Sequence, residues 1–237
     1  MKVIVLTTDT LHHAYFVREL VASGVAVVTV CETESLSAPF DTAHPFEQAR
    51  DEYERELWFG GKPATLKSEP DVLFVKNIND PRVVELLGGE KSIANIVFGT
   101  RKIGTELVSA SKSKLLNLHG GDPRFYRGLD SVLWAVYHGD FGQLKTCLHT
   151  VNAVLDDGEM VGLKPLSIRC GMQLHQVRAE NARVCVSLVT EAIGSIIASE
   201  PLNLSRQDQV GRYYSFMPNV LKELCVKKFE RHTAGLV

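Results

Sequence analysis

The chain has 237 residues, of which 45% are hydrophobic and 23% charged, and its formal net charge is -2. That length supports a full core, and one α/β domain with an appendage fits it better than three domains. The charge balance leaves no electrostatic footprint for nucleic acid, and no apolar run approaches the roughly 20 residues that cross a bilayer.

The five cysteines, Cys31, Cys147, Cys170, Cys185 and Cys225, are scattered. None has the short spacing of a zinc knuckle or a redox pair, so no metal site is expected from them. The apolar run at residues 1–6 is too short for a secretory signal. Buried, reduced thiols in a cytoplasmic protein are the expectation. The lysines at 112 and 114, and those between 222 and 228, read as solvated helix faces.

Residues 3–6 are a short β-branched apolar run, the pattern of a strand buried on both faces. Thr7 to Thr10 supply several helix-capping side chains, and residues 11–23 read as a helix stopped by Gly24. Residues 25–31 form the next buried strand. Strand, helix and strand in so short a stretch make a right-handed βαβ unit. The first strand-to-helix turn lacks the glycines of a dinucleotide or P-loop fingerprint. It carries Thr8, Asp9, His12 and His13 to the rim where open sheets bind ligands. The two histidines are either ligand contacts there or surface residues without a role; a metal reading is weak, because neighbours on a helix project from different faces.

Residues 46–59 read as a charged helix ended by Gly60-Gly61. Strands follow at 71–75 and 93–98, with a helix opened by Pro81 between them. Gly99-Thr100-Arg101-Lys102-Ile103-Gly104 comes off the fourth strand at the same rim, ahead of a helix at 105–111. A fifth strand at 114–118 delivers Asn117 and His119. This alternation specifies an α/β fold, a doubly wound and mostly parallel sheet. After a helix at 131–139, residues 144–151 are extended and read as antiparallel, and 160–166 are extended again. Val184, Leu188, Ala192 and Ile196 recur every four residues in a helix at 180–199 that packs on the domain. The 209–218 segment is an aromatic loop, and 220–231 a last amphipathic helix. The expected division is a catalytic domain over 1–165 and a C-terminal extension over 166–237.

Asn117, His119 and Asp156 bracket one compact segment. Acyl transfer to an amine needs a proton acceptor, a donor for the developing oxyanion and a proton for the leaving group. An Asn amide suits the oxyanion. A His exchanges protons near neutral pH, and a carboxylate beside it raises its basicity or fixes its tautomer. A turn with a capping Asn and a satisfied His fits the same letters.

The order of motifs adds a resemblance. Asn117-Leu118-His119, then Arg124-Phe125-Tyr126-Arg127-Gly128, then Trp134-Ala135 running to Gly139-Asp140, then Leu155-Asp156-Asp157-Gly158 resemble the formyltransferases that use 10-formyltetrahydrofolate. The similarity covers roughly residues 72–160 well and the first βα unit loosely. It implies a Rossmann-like catalytic domain with Asn117, His119 and Asp156 as catalytic residues. It also implies a folate cleft formed by Phe98, Gly99, Thr100, Arg101, Ile103, Thr150, Val151 and Val154.

Three departures shape the expected acceptor. His119-Gly120-Gly121 stands where the family usually has His-Pro-Ser. The phosphate turn of the ribonucleotide enzymes is replaced by residues 7–13. A tRNA-binding domain of about a hundred further residues, a typical domain size, has no room before Val237. The expectation is therefore a nucleotide-linked amino sugar, formylated for surface polysaccharide synthesis. Thr8, Asp9, His12, His13, Arg127, Tyr213, Tyr214 and Phe216 are its candidate contacts, and the C-terminal helix and aromatic loop are expected to form a homodimer. Another small amine, or a folate-binding module without catalysis, are the alternatives; no nucleic-acid or membrane partner is expected.

Overall fold

The run Val3-Ile4-Val5-Leu6 has no water-facing side: all four residues are fully buried. The computed structural model, which describes residues 2–89, 91–152 and 156–236, places them in the middle of a seven-stranded sheet. In chain order the elements are β1 (Lys2–Thr8), α1 (Leu11–Ala22), β2 (Ala26–Glu32), α2 (Pro45–Phe59), β3 (Val72–Val75), α3 (Pro81–Gly89), β4 (Ala94–Phe98), α4 (Thr105–Ala110) and β5 (Leu115–His119). There follow β6 (Tyr126–Gly128), α5 (Ser131–His138), β7 (Lys145–Thr150), β8 (Met160–Pro165), α6 (Val177–Ile197), β9 (Arg212–Tyr214) and α7 (Asn219–Ala234).

The large sheet has the order β3-β2-β1-β4-β5-β7-β8. β1 to β5 are parallel, and β7 and β8 run antiparallel. Side chains on a strand alternate between faces, and β1 shows the consequence. Val3 and Val5 pack with residues of α1 and α6, including Phe16, Leu20, Leu188 and Val189. Ile4 and Leu6 pack with residues of α3 and α4, including Val83, Leu87 and Leu107. Each such side chain stabilises the fold by about 1.5–3 kcal/mol through burial alone. A third cluster joins α5, α7 and the 166–177 segment around Phe229 and Met217.

Strand order reverses between β1 and β4, and the carboxyl ends there leave the crevice in which doubly wound sheets bind ligands. The antiparallel return of β7 sets one pairing that matters for chemistry: His149 lies opposite Asn117. A register irregularity between Leu148 and His149, where β8 pairs with β7, falls beside the same pair.

Three segments differ from the sequence reading. The aromatic loop contains β9, which pairs in parallel with the three residues of β6 to make a separate small sheet. Gly128 is required at that junction: its φ is +87°, and a Cβ there would collide with the Tyr214 carbonyl. Helix α6 begins at Val177, before the stripe that marks it. Lys222 is buried, not solvated, with its ammonium on Glu47 and the Thr42 carbonyl. Of the cysteines, four are buried and Cys170 is exposed. Among the described residues, no helix is long and apolar enough to cross a membrane.

Helix α2 starts at Pro45 because His44 and Glu47 form a reciprocal capping box, and it stops at Gly60 in the left-handed conformation. It is locked to α6 through charge. Glu54 is fully buried, and Arg178 grips both its oxygens at 2.7 and 2.6 Å while reaching Asp51 at 2.6 Å. Arg178→Ala leaves Glu54 buried without a cation and is expected to destabilise by about 3–5 kcal/mol. Adding Glu54→Leu should recover part of that loss in chemical denaturation. A single-mutant loss of only about 0–1 kcal/mol, the size of an exposed pair, would show that this contact does not hold the helices together.

Candidate active site

Asn117 and His119 stand two apart at the carboxyl end of β5, so both reach the rim from one face. Asp156 reaches them from the far side of the pairing between Thr150 and Glu159, which exchange backbone N–H to carbonyl (2.9 Å) and backbone N–H to hydroxyl (2.9 Å) bonds. Gly158 lies so close to the Thr150 carbonyl that a Cβ would overlap it. Gln207 donates to the carbonyls of Asp156 and Gly158 at 2.9 and 2.8 Å, tying them to the C-terminal segment. Asp156 itself has φ of +51°, a strained conformation of the kind that collects at functional sites.

The Asp156 carboxylate is almost fully buried, and four groups surround it. Gly128 N–H donates to Oδ2 at 2.9 Å. His119 Nδ1 lies 3.7 Å from Oδ2, and His149 Nε2 3.6 Å from Oδ1. Asn117 Nδ2 donates to Oδ1 at 3.5 Å. Burial works against the ionised carboxyl, but the His119 ring, the His149 ring and the Gly128 N–H outweigh it and hold its pKa below the usual carboxylate range.

Hydrogen-bond partners fix both tautomers. His119 Nε2 is 2.7 Å from the Tyr126 carbonyl, which only accepts, so Nε2 carries the hydrogen and Nδ1 is the basic nitrogen. That nitrogen sits beside Asp156 at a distance too long for a direct hydrogen bond. The carboxylate therefore acts on a protonated ring through its charge. His149 Nδ1 is 2.9 Å from the Thr150 carbonyl and donates to it, leaving Nε2 to accept from Asn117 Nδ2 at 3.0 Å. His149 thus orients the Asn117 amide.

A cavity of ≈ 620 Å³ opens over this group, with Asn117, His119, His149 and Asp156 in its wall. Of the predicted folate residues, Phe98, Gly99, Thr100, Arg101, Ile103 and Val151 line it; Thr150 pairs with Glu159 instead, and Val154 lies outside the described residues. Of the predicted acceptor residues, His12, His13, Tyr213 and Phe216 line it. Thr8 and Asp9 instead line an adjoining cavity of ≈ 450 Å³, which shares Gly99, Thr100, Arg101 and Phe216 with the first. Asp9 there accepts from the Thr65 hydroxyl and the Leu66 N–H at 2.5 and 2.8 Å. Arg127 and Tyr214 line neither. Arg127 is buried, 3.9 Å from Asp157, and Tyr214 stacks on Trp134 and Tyr126.

His12 and His13 do not diverge as helix neighbours should. Their ring centroids are 3.9 Å apart, because Thr10 Oγ1 bonds Nδ1 of both at 3.0 and 2.9 Å instead of capping α1. His13 is buried against Phe98, and burial together with the Arg178 charge lowers its pKa to about 3. It is a neutral wall of the cavity. Burial and the His13 ring also push His12 well below its ordinary value.

Sequence reasoning missed three groups. His149 was legible only through the register of β7. Glu32, at the end of β2, accepts the backbone N–H groups of Ile78 and Arg101 at 2.9 Å each. Asp130 lines the cavity at the N-terminus of α5, yet turns from its own helix to accept the Met217 N–H at 2.8 Å. Among the described residues, no three His, Cys, Asp or Glu are grouped to hold a metal ion.

No protein-family model matches the sequence. Solved structures do match its fold. A 4-N formyltransferase from Francisella tularensis superposes with a TM-score of 0.62 at 15% identity, over 90% of this chain and 76% of that one. The N-formyltransferase from Helicobacter canadensis, in complex with folinic acid and dTDP-3-aminofucose, gives 0.58 at 12% identity, over 91% and 71%. HypX from Aquifex aeolicus gives 0.58 at 18% identity, over 94% of this chain but 31% of that one. The chain has the formyltransferase fold, with the organisation seen in sugar N-formyltransferases.

The depressed Asp156 pKa has a sign. The unfolded chain binds the proton more readily than the folded one, so this carboxylate's contribution to stability is complete above the unfolded value of about 3.9 and is lost as pH falls toward the folded one. Wild type is expected to lose stability faster than Asp156→Asn as pH drops below about 4. Denaturant titrations from pH 5 downward measure it; parallel curves for the two proteins would contradict a depressed pKa.

Proposed function

We propose that the protein is an N-formyltransferase that moves the formyl group of 10-formyltetrahydrofolate to the amine of a nucleotide-linked amino sugar. The convergence of Asn117, His119 and Asp156 on one cavity wall carries this reading, on a fold shared with sugar N-formyltransferases. The cavity is of the size that holds a cofactor-sized ligand. Phe98, Ile103 and Val151 offer apolar wall to a pterin, and the backbone of the 99–103 loop offers hydrogen-bonding groups beside them.

The chemistry follows from the tautomers. The acceptor amine attacks the formyl carbon as its proton passes to His119 Nδ1, and the Asp156 carboxylate stabilises the imidazolium so formed. Asn117, its amide oriented by His149, exchanges its long 3.5 Å bond to Asp156 for one to the formyl oxygen as that oxygen gains charge. The carbon–nitrogen bond to the folate breaks, and the proton on His119 goes to the departing nitrogen. The products are the formamide and tetrahydrofolate. The Tyr126 carbonyl keeps Nε2 protonated throughout, so one nitrogen both takes and returns the proton.

His12, His13, Tyr213 and Phe216 form the acceptor side of the main cavity in this reading, and Thr8 and Asp9 the adjoining one. The complex of the Helicobacter canadensis protein with dTDP-3-aminofucose supports an amino-sugar nucleotide as acceptor.

Screening amino-sugar nucleotides with 10-formyltetrahydrofolate, and following tetrahydrofolate release, tests the assignment. Turnover with at least one sugar is expected. Asn117→Ala should lower kcat by about 10²–10³, the cost of one oxyanion donor elsewhere. His119→Ala should lower it by about 10²–10⁴, the range for a positioned acid–base group. Variants that fold normally and turn over at the wild-type rate would place the chemistry elsewhere.

A further inference from the structure

Doubly wound nucleotide-binding folds place an acidic side chain on a bound ribose, about 20 residues beyond the first strand-to-helix turn. Glu32, at the end of β2, stands in that place. It is 2% exposed, and both its oxygens already accept. Oε1 takes the Ile78 N–H at 2.9 Å, Oε2 takes the Arg101 N–H at 2.9 Å, and Arg101 Nε lies 3.4 Å from Oε1. One carboxylate therefore joins the loops that leave β2, β3 and β4.

A second tie reaches the same loop from the solvent side. Asn79 Nδ2 donates to the Lys102 carbonyl at 3.0 Å, and its Oδ1 accepts the Gly104 N–H at 2.6 Å. The loop starts at Gly99, whose φ of +78° and contact with the His13 ring admit no side chain. The loop is thus held at three places: Gly99 packs on the His13 ring, Arg101 hangs on Glu32, and Lys102 with Gly104 on Asn79. The Arg101 guanidinium is likewise committed, between Glu32 and Glu34 at 3.0 Å.

We infer that Glu32 is a positioning residue for the folate-binding loop, assisted by Asn79. The inference rests on the folate reading of the cavity. Charge-assisted bonds to backbone N–H groups are the strong kind. They hold the loop in its binding shape before a ligand arrives, which lowers the ordering cost of binding. Glu32 touches no reacting atom in this account, so its loss should act on folate binding and not on the chemical step.

Two variants separate this from a purely structural role. Glu32→Gln keeps the shape but sets an N–H donor against a backbone N–H. Asn79→Ala removes the second tie from an exposed position, where folding is not at risk. Binding of 5-formyltetrahydrofolate by calorimetry should weaken about tenfold or more for Glu32→Gln, and by less for Asn79→Ala. Hydrogen exchange should speed up at the Arg101 and Gly104 amides in the respective variants. With formyl donor and acceptor both saturating, kcat should stay within about twofold of wild type, because uniform binding is what is lost. Folded variants with wild-type folate affinity and wild-type exchange would overturn the clamp while leaving the formyl-donor reading intact. A wild-type protein that binds no folate analogue would overturn that reading itself, and the inference with it.

Discussion

A carboxylate taken out of water must be compensated, and the site is built around that requirement at Asp156. The Gly128 N–H and the Asn117 amide donate to it, and the His119 and His149 rings offset the penalty of burial further when they carry a proton. Each compensating group gains an assignment in return. For His119, the Tyr126 carbonyl dictates which nitrogen is basic, and that nitrogen is the one facing Asp156. His149 is spent on orienting Asn117, whose amide is then held ready for an oxyanion. In the proposed reaction, ground-state compensation and transition-state stabilisation come from the same few atoms, the preorganisation that makes electrostatic catalysis effective.

The fold supplies this cluster through backbone devices. β5 brings Asn117 and His119, and the antiparallel β7 brings the second histidine, His149, into register opposite Asn117. The Thr150–Glu159 pairing and the bare backbone of Gly158 hold Asp156 at the same rim. Gln207 secures Asp156 and Gly158 from the C-terminal segment, and Met217 hangs on Asp130 at the opposite wall. The C-terminal residues therefore complete the cavity as well as cover the sheet, with Tyr213 and Phe216 in its lining.

What the sequence revealed follows the reach of each signal. The five parallel strands were legible because buried strands leave short apolar runs, most of them β-branched, between helix signals, as at Val3 to Leu6. Asn117, His119 and Asp156 were legible as residue types in an order that matches known formyltransferases. His149 was not, because its role depends on a strand register that composition does not encode. β9 exists only through pairing with the distant β6, so its three residues read as a loop. The burial of Lys222 and His13 also came from partners far along the chain: Glu47 and Thr42 for one, Phe98 and Arg178 for the other. Glu32 carried a local signal, an acid at the end of the second strand, but the contact that explains it is the backbone of a loop some seventy residues away.

The proposed reaction is tested most directly by a structure of the ternary complex with 5-formyltetrahydrofolate and an amino-sugar nucleotide that proves to be an acceptor in the turnover screen. In that complex the acceptor nitrogen is expected about 3–3.5 Å from the position of the transferable formyl carbon. The formyl oxygen is expected within hydrogen-bond reach of Asn117 Nδ2, with His119 Nδ1 facing the amine. A folate bound with its formyl-bearing nitrogen remote from Asn117 and His119 would contradict the proposed reaction.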